Sequence, residues 1–138
     1  MAEIKISDLS VGDWVRVDDF DKVLIKRVSA IDGTRNQIGI IKNNRGGIYW
    51  YCDDEIEPIP LTPEIFEKNG FVKWQGGLVL IGNEISCRYE DGNLTIKQGY
   101  RDNEGVLVER LLVNIECLSV HQLQHALRLA GVEKEIEV

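Results

Sequence analysis

The stretch EPIPLTPEIFEKNGF, residues 57–71, decides how the chain is organised, because it predicts a short helix with both ends specified. Thr62 is a favourable N-cap, since its hydroxyl can accept a hydrogen bond from a free backbone N–H one turn into the helix. Pro63 suits the first helical position, where a missing N–H costs nothing. Asn69 and Gly70 supply the left-handed exit that ends many helices.

This helix separates two parts of the chain that have different patterns. A helix of about two turns is not stable alone in water, so we expect it to dock through apolar residues such as Phe66. Pro58 and Pro60 end any strand before it, because proline cannot donate to a strand ladder. We therefore divide the chain into residues 1–60 and 61–138, and we expect the two parts to pack as one compact unit.

Residues 1–60 show short β-type segments that are separated by turns. Trp14–Val17 alternates apolar and polar residues, and further β-type segments are Gln37–Lys42 and Ile48–Cys52. Four or five short strands at this spacing favour a small closed barrel. The segment DLSVGDWVRV, residues 8–17, is similar to the first strand of SH3-like barrels, which implies a fold and no particular function.

Residues 61–138 predict an antiparallel sheet of about four strands with a C-terminal helix on one face. Asp91-Gly92-Asn93 is a strong hairpin signal. The helix is expected at about Val120–Ala130, and the charged tail, residues 133–138, is expected to be loosely held. The predicted fold class is therefore α+β: a small SH3-like barrel, a linking helix, and a sheet capped by a terminal helix.

The composition favours a globular protein of a reducing compartment. Of the 138 residues 43% are hydrophobic, and no apolar run approaches the roughly 20 residues that span a bilayer. The N-terminal residues lack the apolar core of a signal peptide. Three widely spaced cysteines, Cys52, Cys87 and Cys117, do not form the pattern of a disulfide framework. We expect a cytoplasmic protein without a membrane partner.

The charge distribution argues against nucleic acid as the main partner. The net charge is −7, of which residues 1–60 contribute −3 and residues 61–138 contribute −4. Because neither part is basic, binding that depends on counterion release is disfavoured. A local basic patch remains compatible with this composition.

Two segments resemble a family of small bacterial proteins. PIPLTPEIFEKNGF, residues 58–71, and SVHQLQHALRLAG, residues 119–131, are similar to segments of small uncharacterised proteins from prophages and mobile elements of gut anaerobic bacteria. The resemblance implies that a helix with the PLT-E pattern and a terminal VHQLQ helix frame a short sheet. It implies no activity, cofactor or catalytic residue, and that family more often has asparagine where this chain has His125.

Cys117, His121 and His125 have the spacing C-x3-H-x3-H, in which two histidines one helical turn apart can share a metal ion. The apolar stripe of the predicted helix places both histidines on its solvent side, and no fourth ligand is close in sequence. A polar helix face beside a buried cysteine explains the pattern without a metal. A Cys117–His121 nucleophile pair is disfavoured because Glu116 adjoins the cysteine.

Asp53, Asp54, Glu55 and Glu57 form the densest acidic run of the chain. Paired carboxylates can bind divalent cations or perform acid–base chemistry. The run does not match an EF-hand loop, and it lies between a strand and two prolines. A solvated turn is therefore the favoured interpretation.

The loop Lys42–Gly47 and the aromatic strand that follows it form the candidate ligand-binding site. The loop can present backbone N–H groups and two positive charges to a phosphate. Tyr49 and Tyr51 share one face of the strand and Trp50 takes the other, and one of these faces must be core. We select Arg45, Tyr49 and Tyr51 as ligand-binding residues, with Trp50 packed inside.

The run Val106–Val113 lacks a clean alternation of apolar and polar residues, which is typical of a strand buried on both faces. Burial within one chain is the favoured explanation. Contact with a second copy of the chain through one face of the strand is the alternative.

No motif in the sequence identifies a reaction. We expect a non-enzymatic module of phage or mobile-element origin that binds a protein or peptide through the face around Tyr49, with no metal or cofactor. One alternative is a nucleic-acid accessory protein that uses the Lys42–Gly47 loop. The other is a metal-binding protein that uses the C-x3-H-x3-H residues.

Overall fold

The structure is a computed structural model that describes residues 4–20, 22–41, 46–82 and 84–138. Antiparallel sheets dominate it and α-helices accompany them, so the predicted α+β class is confirmed. The strands are β1 (Trp14–Asp19), β2 (Lys22–Arg27), β3 (Ala30–Asp32), β4 (Gln37–Ile41), β5 (Ile48–Cys52), β6 (Ile56–Glu57), β7 (Val72–Trp74), β8 (Gly77–Ile81), β9 (Ile85–Glu90), β10 (Asn93–Arg101) and β11 (Leu107–Glu116). The helices are α1 (Pro63–Lys68) and α2 (Val120–Leu129).

The chain forms two compact units. The first consists of Met1–Pro60 with Ser119–His121, and the second of Leu61–Leu118 with Gln122–Val138.

The first unit contains two three-stranded antiparallel sheets, with the orders β2-β1-β6 and β3-β4-β5. The chain passes from one sheet to the other at Val28 and Ser29. The N–H of Val28 donates to the carbonyl of Asp13 and the N–H of Ser29 to that of Gly39, each at 2.8 Å. Among the described residues no strand pair closes the two sheets into a barrel, so the SH3-like barrel is not confirmed.

Side chains from both sheets form the core of the first unit. Val15 and Val17 of β1 are fully buried because alternate residues of a strand share a face, and Ile38 and Ile40 of β4 are fully buried for the same reason. The core cluster also contains Ile4, Ile6, Leu9, Val28, Tyr51 and Ile56.

The second unit contains a five-stranded antiparallel sheet with the order β11-β10-β9-β8-β7, in which each strand pairs with the next in sequence. It has one strand more than the predicted number of about four, and Val72–Trp74 forms its edge strand, β7, against β8. Asp91 and Gly92 both have positive φ, as the predicted hairpin turn between β9 and β10 requires.

The prediction that Val106–Val113 is buried on both faces is wrong. Val113 is buried, but Leu107 and Leu111 are more than half exposed. The β10–β11 ladder reaches Arg101 and Leu107, whereas β9 pairs with β10 only as far as Gln98. The end of this hairpin, which carries Leu107, therefore extends past β9. Leu111 pairs with Lys97 inside the sheet and lies on its edge strand, β11.

The predicted short helix is confirmed, with its caps. The Thr62 Oγ1 accepts a hydrogen bond from the Ile65 N–H at 3.3 Å, and Gly70 has a φ of +89°. The helix docks inside the second unit through Phe66, which is 1% exposed. The Phe66 ring lies edge-on to Phe71, with centroids 5.0 Å apart, and stacks on Tyr89 at 4.5 Å.

The prediction that the C-terminal tail is loosely held is wrong. The amide of Asn69 donates to the Glu137 carbonyl and accepts from the Glu137 N–H, each at 2.8 Å. The amide of Gln124 in α2 donates to the Lys134 carbonyl and accepts from the Ile136 N–H. These contacts hold Ile136 fully buried, so the tail is part of the core of the second unit.

The predicted C-terminal helix is confirmed as α2, whose apolar stripe of Val120, Leu123, Ala126 and Leu127 is buried. Neither helix in the described residues has the length and apolar character that crossing a membrane requires.

We expect Asn69→Ala to destabilise the protein by about 1–3 kcal/mol, because the backbone groups of Glu137 and Ile65 lose a buried hydrogen-bonding partner. The measurement is the free energy of unfolding in urea. Asn114→Ala, at an exposed position of β11, is the matched control and should change it by about 0.5 kcal/mol or less. Equal effects of the two substitutions would contradict this account of the tail.

We expect the stability to fall as the pH rises from about 9 to about 11. Burial raises the pKa of the Cys87 thiol from 9.0 to about 11, so in this window the unfolded chain loses a proton that the folded chain keeps. The loss is complete once the pH passes the folded-state value. Cys87→Ala should flatten this part of the stability–pH curve relative to Cys52→Ala. Identical curves for the two variants would show that Cys87 does not cause the loss of stability.

Candidate ligand-binding surface

The register between β4 and β5 determines which aromatic side chains face the core of the first unit. Ile38 pairs with Tyr51, Gly39 with Trp50, and Ile40 with Tyr49. Directly paired residues of an antiparallel ladder have their side chains on the same face of the sheet. Ile38 and Ile40 are fully buried, so Tyr49 and Tyr51 lie on the core face and Trp50 lies on the outer face.

The assignment of the two tyrosines to the ligand face and of Trp50 to the interior is therefore corrected. Tyr51 is 5% exposed and belongs to the core cluster, so its ring is not on the surface. Tyr49 is 45% exposed because it lies at the end of the buried face, beside Gly47. Trp50 is 44% exposed on the opposite side.

Arg45, the third predicted ligand-binding residue, lies outside the described residues, as do Lys42, Asn43 and Asn44 of the same loop. Of the predicted phosphate-binding loop, the structure describes Gly46 and Gly47. Both are exposed, and Gly46 has a φ of +79°.

The outer face of the sheet β3-β4-β5 is apolar around Trp50. Gly39 lies between Ala30 and Trp50 in the ladder, and a Cβ at that position would approach the Ile48 Cγ2 to 2.7 Å. Glycine at position 39 thus lets the Ile48 and Trp50 side chains cover the β4 backbone. Ile48 is 45% exposed and Ile41, its cross-strand partner, is 44% exposed.

A row of polar residues beside this apolar face includes one carboxylate. Asp32, Gln37 and Cys52 follow one another across the three strands, on the same side as Trp50. The hydrogen bond from the Thr34 hydroxyl to Asp32 Oδ1, at 2.6 Å, is the main cause that lowers the pKa of Asp32. This carboxylate therefore keeps its negative charge at neutral pH.

The acidic run forms a 3-10 turn, Asp53–Glu55, directly after β5. The Glu55 Oε1 accepts a hydrogen bond from the Cys52 N–H at 2.9 Å, and Glu57 lies 4.0 Å from the Arg16 guanidinium. The possible ligand atoms of Cys52, Asp54 and Glu55 lie within 4.8 Å of one another. Three ligands are fewer than the four that close a structural zinc site, so we assign no metal to this turn.

The C-x3-H-x3-H residues are not brought together as a ligand group in the described part of the chain. Cys117 is fully buried, and Tyr89 donates its hydroxyl to the Cys117 carbonyl at 2.8 Å. The prediction that His121 faces solvent is wrong, since it is 7% exposed. Its Nδ1 lies 3.0 Å from the Ser119 Oγ, in the first turn of α2, which belongs to the first unit.

The burial of that first turn has a local cause. The Val120 N–H donates to the Ile59 carbonyl at 2.9 Å, and Ser119 forms a β-bridge with Pro60. The segment between β6 and α1 is thus paired with the start of α2. A helical periodicity taken alone could not reveal this, because it describes the sides of a helix and not what covers its end.

The comparisons with known proteins return no match among family models, curated proteins or solved structures. The resemblance to prophage and mobile-element proteins therefore stays a prediction.

We expect one of the three cysteines to react rapidly with a thiol reagent such as DTNB in the folded protein. Cys52 is partly exposed, whereas Cys87 and Cys117 are fully buried, and burial also raises the pKa of Cys87. Cys52 should react at least about tenfold faster, because the reagent attacks accessible thiolate. Cys52→Ser should abolish the fast phase and Cys87→Ser should leave it. A single rate for all three thiols would contradict the described burial.

Proposed function

We propose that the chain is a non-enzymatic interaction module that binds an extended segment of a partner protein on the outer face of β3-β4-β5. The observation that carries the proposal is the exposure of Trp50 on that face. Ile48 and Ile41 beside it are exposed to a similar extent. Large apolar side chains that share one outer face are typical of protein-binding surfaces.

Trp50 is suited to be the anchor of such a surface. Tryptophan is enriched among the residues that contribute most binding energy at protein interfaces. Its indole combines a large apolar area with one N–H donor, which can meet a carbonyl of the partner. The close fit of Ile48 and Trp50 over Gly39 restricts their motion, so little side-chain entropy would be lost on binding.

The edge of strand β5 can also pair with an extended partner segment. β5 is the last strand in the order β3-β4-β5, so within the described sheet its other edge has no strand neighbour. A segment that adds to β5 would form main-chain hydrogen bonds and place alternate side chains beside Trp50 and Ile48. Main-chain pairing would supply affinity, and the apolar side chains would supply selectivity.

The charge around this face favours a cationic protein segment over nucleic acid. Asp32 lies on the outer face, with the Arg35 guanidinium 3.9 Å from it, and Asp53 and Asp54 are exposed directly after β5. Carboxylates at the edge of a surface attract a basic partner and repel phosphates. On the resemblance of its helical segments, that partner would be a protein of a phage or of its host cell.

Trp50→Ala tests this proposal. Peptides are first selected on the wild-type protein from a displayed random peptide library, and the affinities of the enriched peptides are then measured for the variants. We expect Trp50→Ala to weaken most of them at least about tenfold, which corresponds to about 1.4 kcal/mol. The thermal stability should change little, because the side chain is on the surface.

Tyr100→Ala is the control, since it removes an aromatic side chain of equal exposure, 44%, from β10 in the second unit. Peptides that bind through β3-β4-β5 should retain their affinity for it. The proposal fails if the library yields no saturable ligand, or if the enriched peptides bind Trp50→Ala as well as wild type.

A further inference from the structure

Helix α1 packs on one face of the five-stranded sheet of the second unit. The Phe66 ring of α1 stacks on Tyr89 of β9 with centroids 4.5 Å apart, and Leu78 of β8, which pairs with Tyr89, shares that face. We call the opposite face the open face, because its large apolar side chains are exposed. No part of the proposed function uses it.

The strand pairing determines which side chains lie on the open face. Directly paired residues share a face of the sheet, and so do alternate residues of one strand. From β7 to β11, the successive pairs on this face are Val72 with Val79, Ile81 with Ser86, Ser86 with Lys97, and Lys97 with Leu111. Five apolar residues that are each more than half exposed therefore lie on the open face: Val72, Trp74, Ile81, Leu107 and Leu111.

Two side-chain contacts agree with this assignment. The Lys97 Nζ lies 3.7 Å from the Glu109 carboxylate of β11. A Cβ at Gly99 of β10 would lie 3.7 Å from the Leu107 Cδ1. Both contacts require that these residues of β10 and β11 have their side chains on the same face.

The open face is locally neutral, although the chain has a net charge of −7. Arg88 forms a salt bridge with Glu90 at 3.1 Å, as Lys97 does with Glu109. Its strands carry three cationic and three acidic side chains on this face: Arg88, Lys97, Arg101, Glu90, Glu109 and Glu116. A strongly charged partner gains no net attraction from such a surface, whereas a second neutral face is compatible with it.

The open face has the size that a stable interface between two chains needs. Its strands are three to ten residues long. At about 3.4 Å per residue and about 4.8 Å between strands, they cover roughly 500 Å² in projection. The accessible surface of protruding side chains exceeds their projection, so the face approaches the about 800 Å² that each partner contributes to a typical stable interface.

We propose that the open face packs against the same face of a second copy of the chain, which forms a symmetric homodimer of two sheets face to face. Sheets pack in this way, about 10 Å apart, in β-sandwiches. A two-fold axis between the sheets and along the strands places β11 of each copy over β7 of the other. Leu107 and Leu111 would then meet Trp74 of the other copy at both ends of the interface.

Pairing of two copies through the free edge of β11 is less suited to these observations. The β10–β11 register shifts between Ile96 and Lys97, and such an irregularity bends an edge strand and interrupts its pairing. An edge contact would also leave Trp74 and Ile81 exposed, because they lie on β7 and β8. Face-to-face packing covers the apolar residues of both sides of the sheet.

The test is sedimentation of the purified full-length chain over a concentration series, at low and at high sodium chloride. We expect a reversible monomer–dimer equilibrium. The dimer should become tighter as the salt concentration rises, because screening reduces the repulsion between two copies that each carry −7.

Leu111→Lys and Ile81→Lys locate the interface, since they lie on different strands of the open face. Each should weaken the dimer at least about tenfold, because a lysine would be buried among apolar side chains. Ile81 is 74% exposed, so its substitution should not unfold the monomer and remains informative if Leu111→Lys does.

Ile25→Lys is the matched control, because it makes the same change at an exposed position of β2 in the first unit. It should dimerise like wild type, and so should Trp50→Ala. The proposal is overturned if the chain stays monomeric at every concentration, if salt dissociates the dimer, or if Ile25→Lys weakens it equally. It is also overturned if Leu111→Lys dissociates the dimer and Ile81→Lys does not, which would indicate pairing through the β11 edge.

Discussion

A tryptophan paired with a glycine across two antiparallel strands is the constraint on which the candidate ligand-binding surface depends. Trp50 pairs with Gly39 in the first unit, and Trp74 pairs with Gly77 in the second. Glycine has no side chain to cover the indole from the neighbouring strand, so other groups occupy that space. Ile48 does so over Gly39 and the Arg88 guanidinium does so over Gly77. In each case the indole stays exposed while its surroundings are closely packed.

Most of the local structure of the chain could be predicted from its sequence, because caps and turns are short-range chemistry. Thr62 and Gly70 lie where the ends of α1 require them. The contacts of Asn69 could not be predicted, since its partner Glu137 is 68 positions away. In the sequence Asn69 resembles an ordinary helix end, whereas in the structure its buried amide holds the tail. Long-range pairing of a polar side chain leaves no periodic signal.

The candidate surface shows where pattern analysis of one strand is insufficient. Because Trp50 and Tyr51 are consecutive in β5, they lie on opposite faces of the strand. Both are large and apolar, so either could be the core residue. The neighbouring strand decides between them. In β4 the buried Ile38 and Ile40 flank Gly39, and their pairing brings Tyr51 into the core. The glycine between two isoleucines was the signal in the sequence that pointed to an exposed Trp50.

The acidic charge of the chain agrees with the local chemistry of the candidate ligand-binding surface. Asp32 lies on the face of Trp50, where Arg35 is 3.9 Å from it, and Asp53 and Asp54 are exposed directly after β5. A cation gains from the carboxylates after β5 and from the exposed indole, whose face attracts positive charge. A phosphate gains from neither and is also repelled by the net charge of −7. The proposed partner, a basic protein segment with apolar side chains, therefore agrees with both the local chemistry and the overall charge.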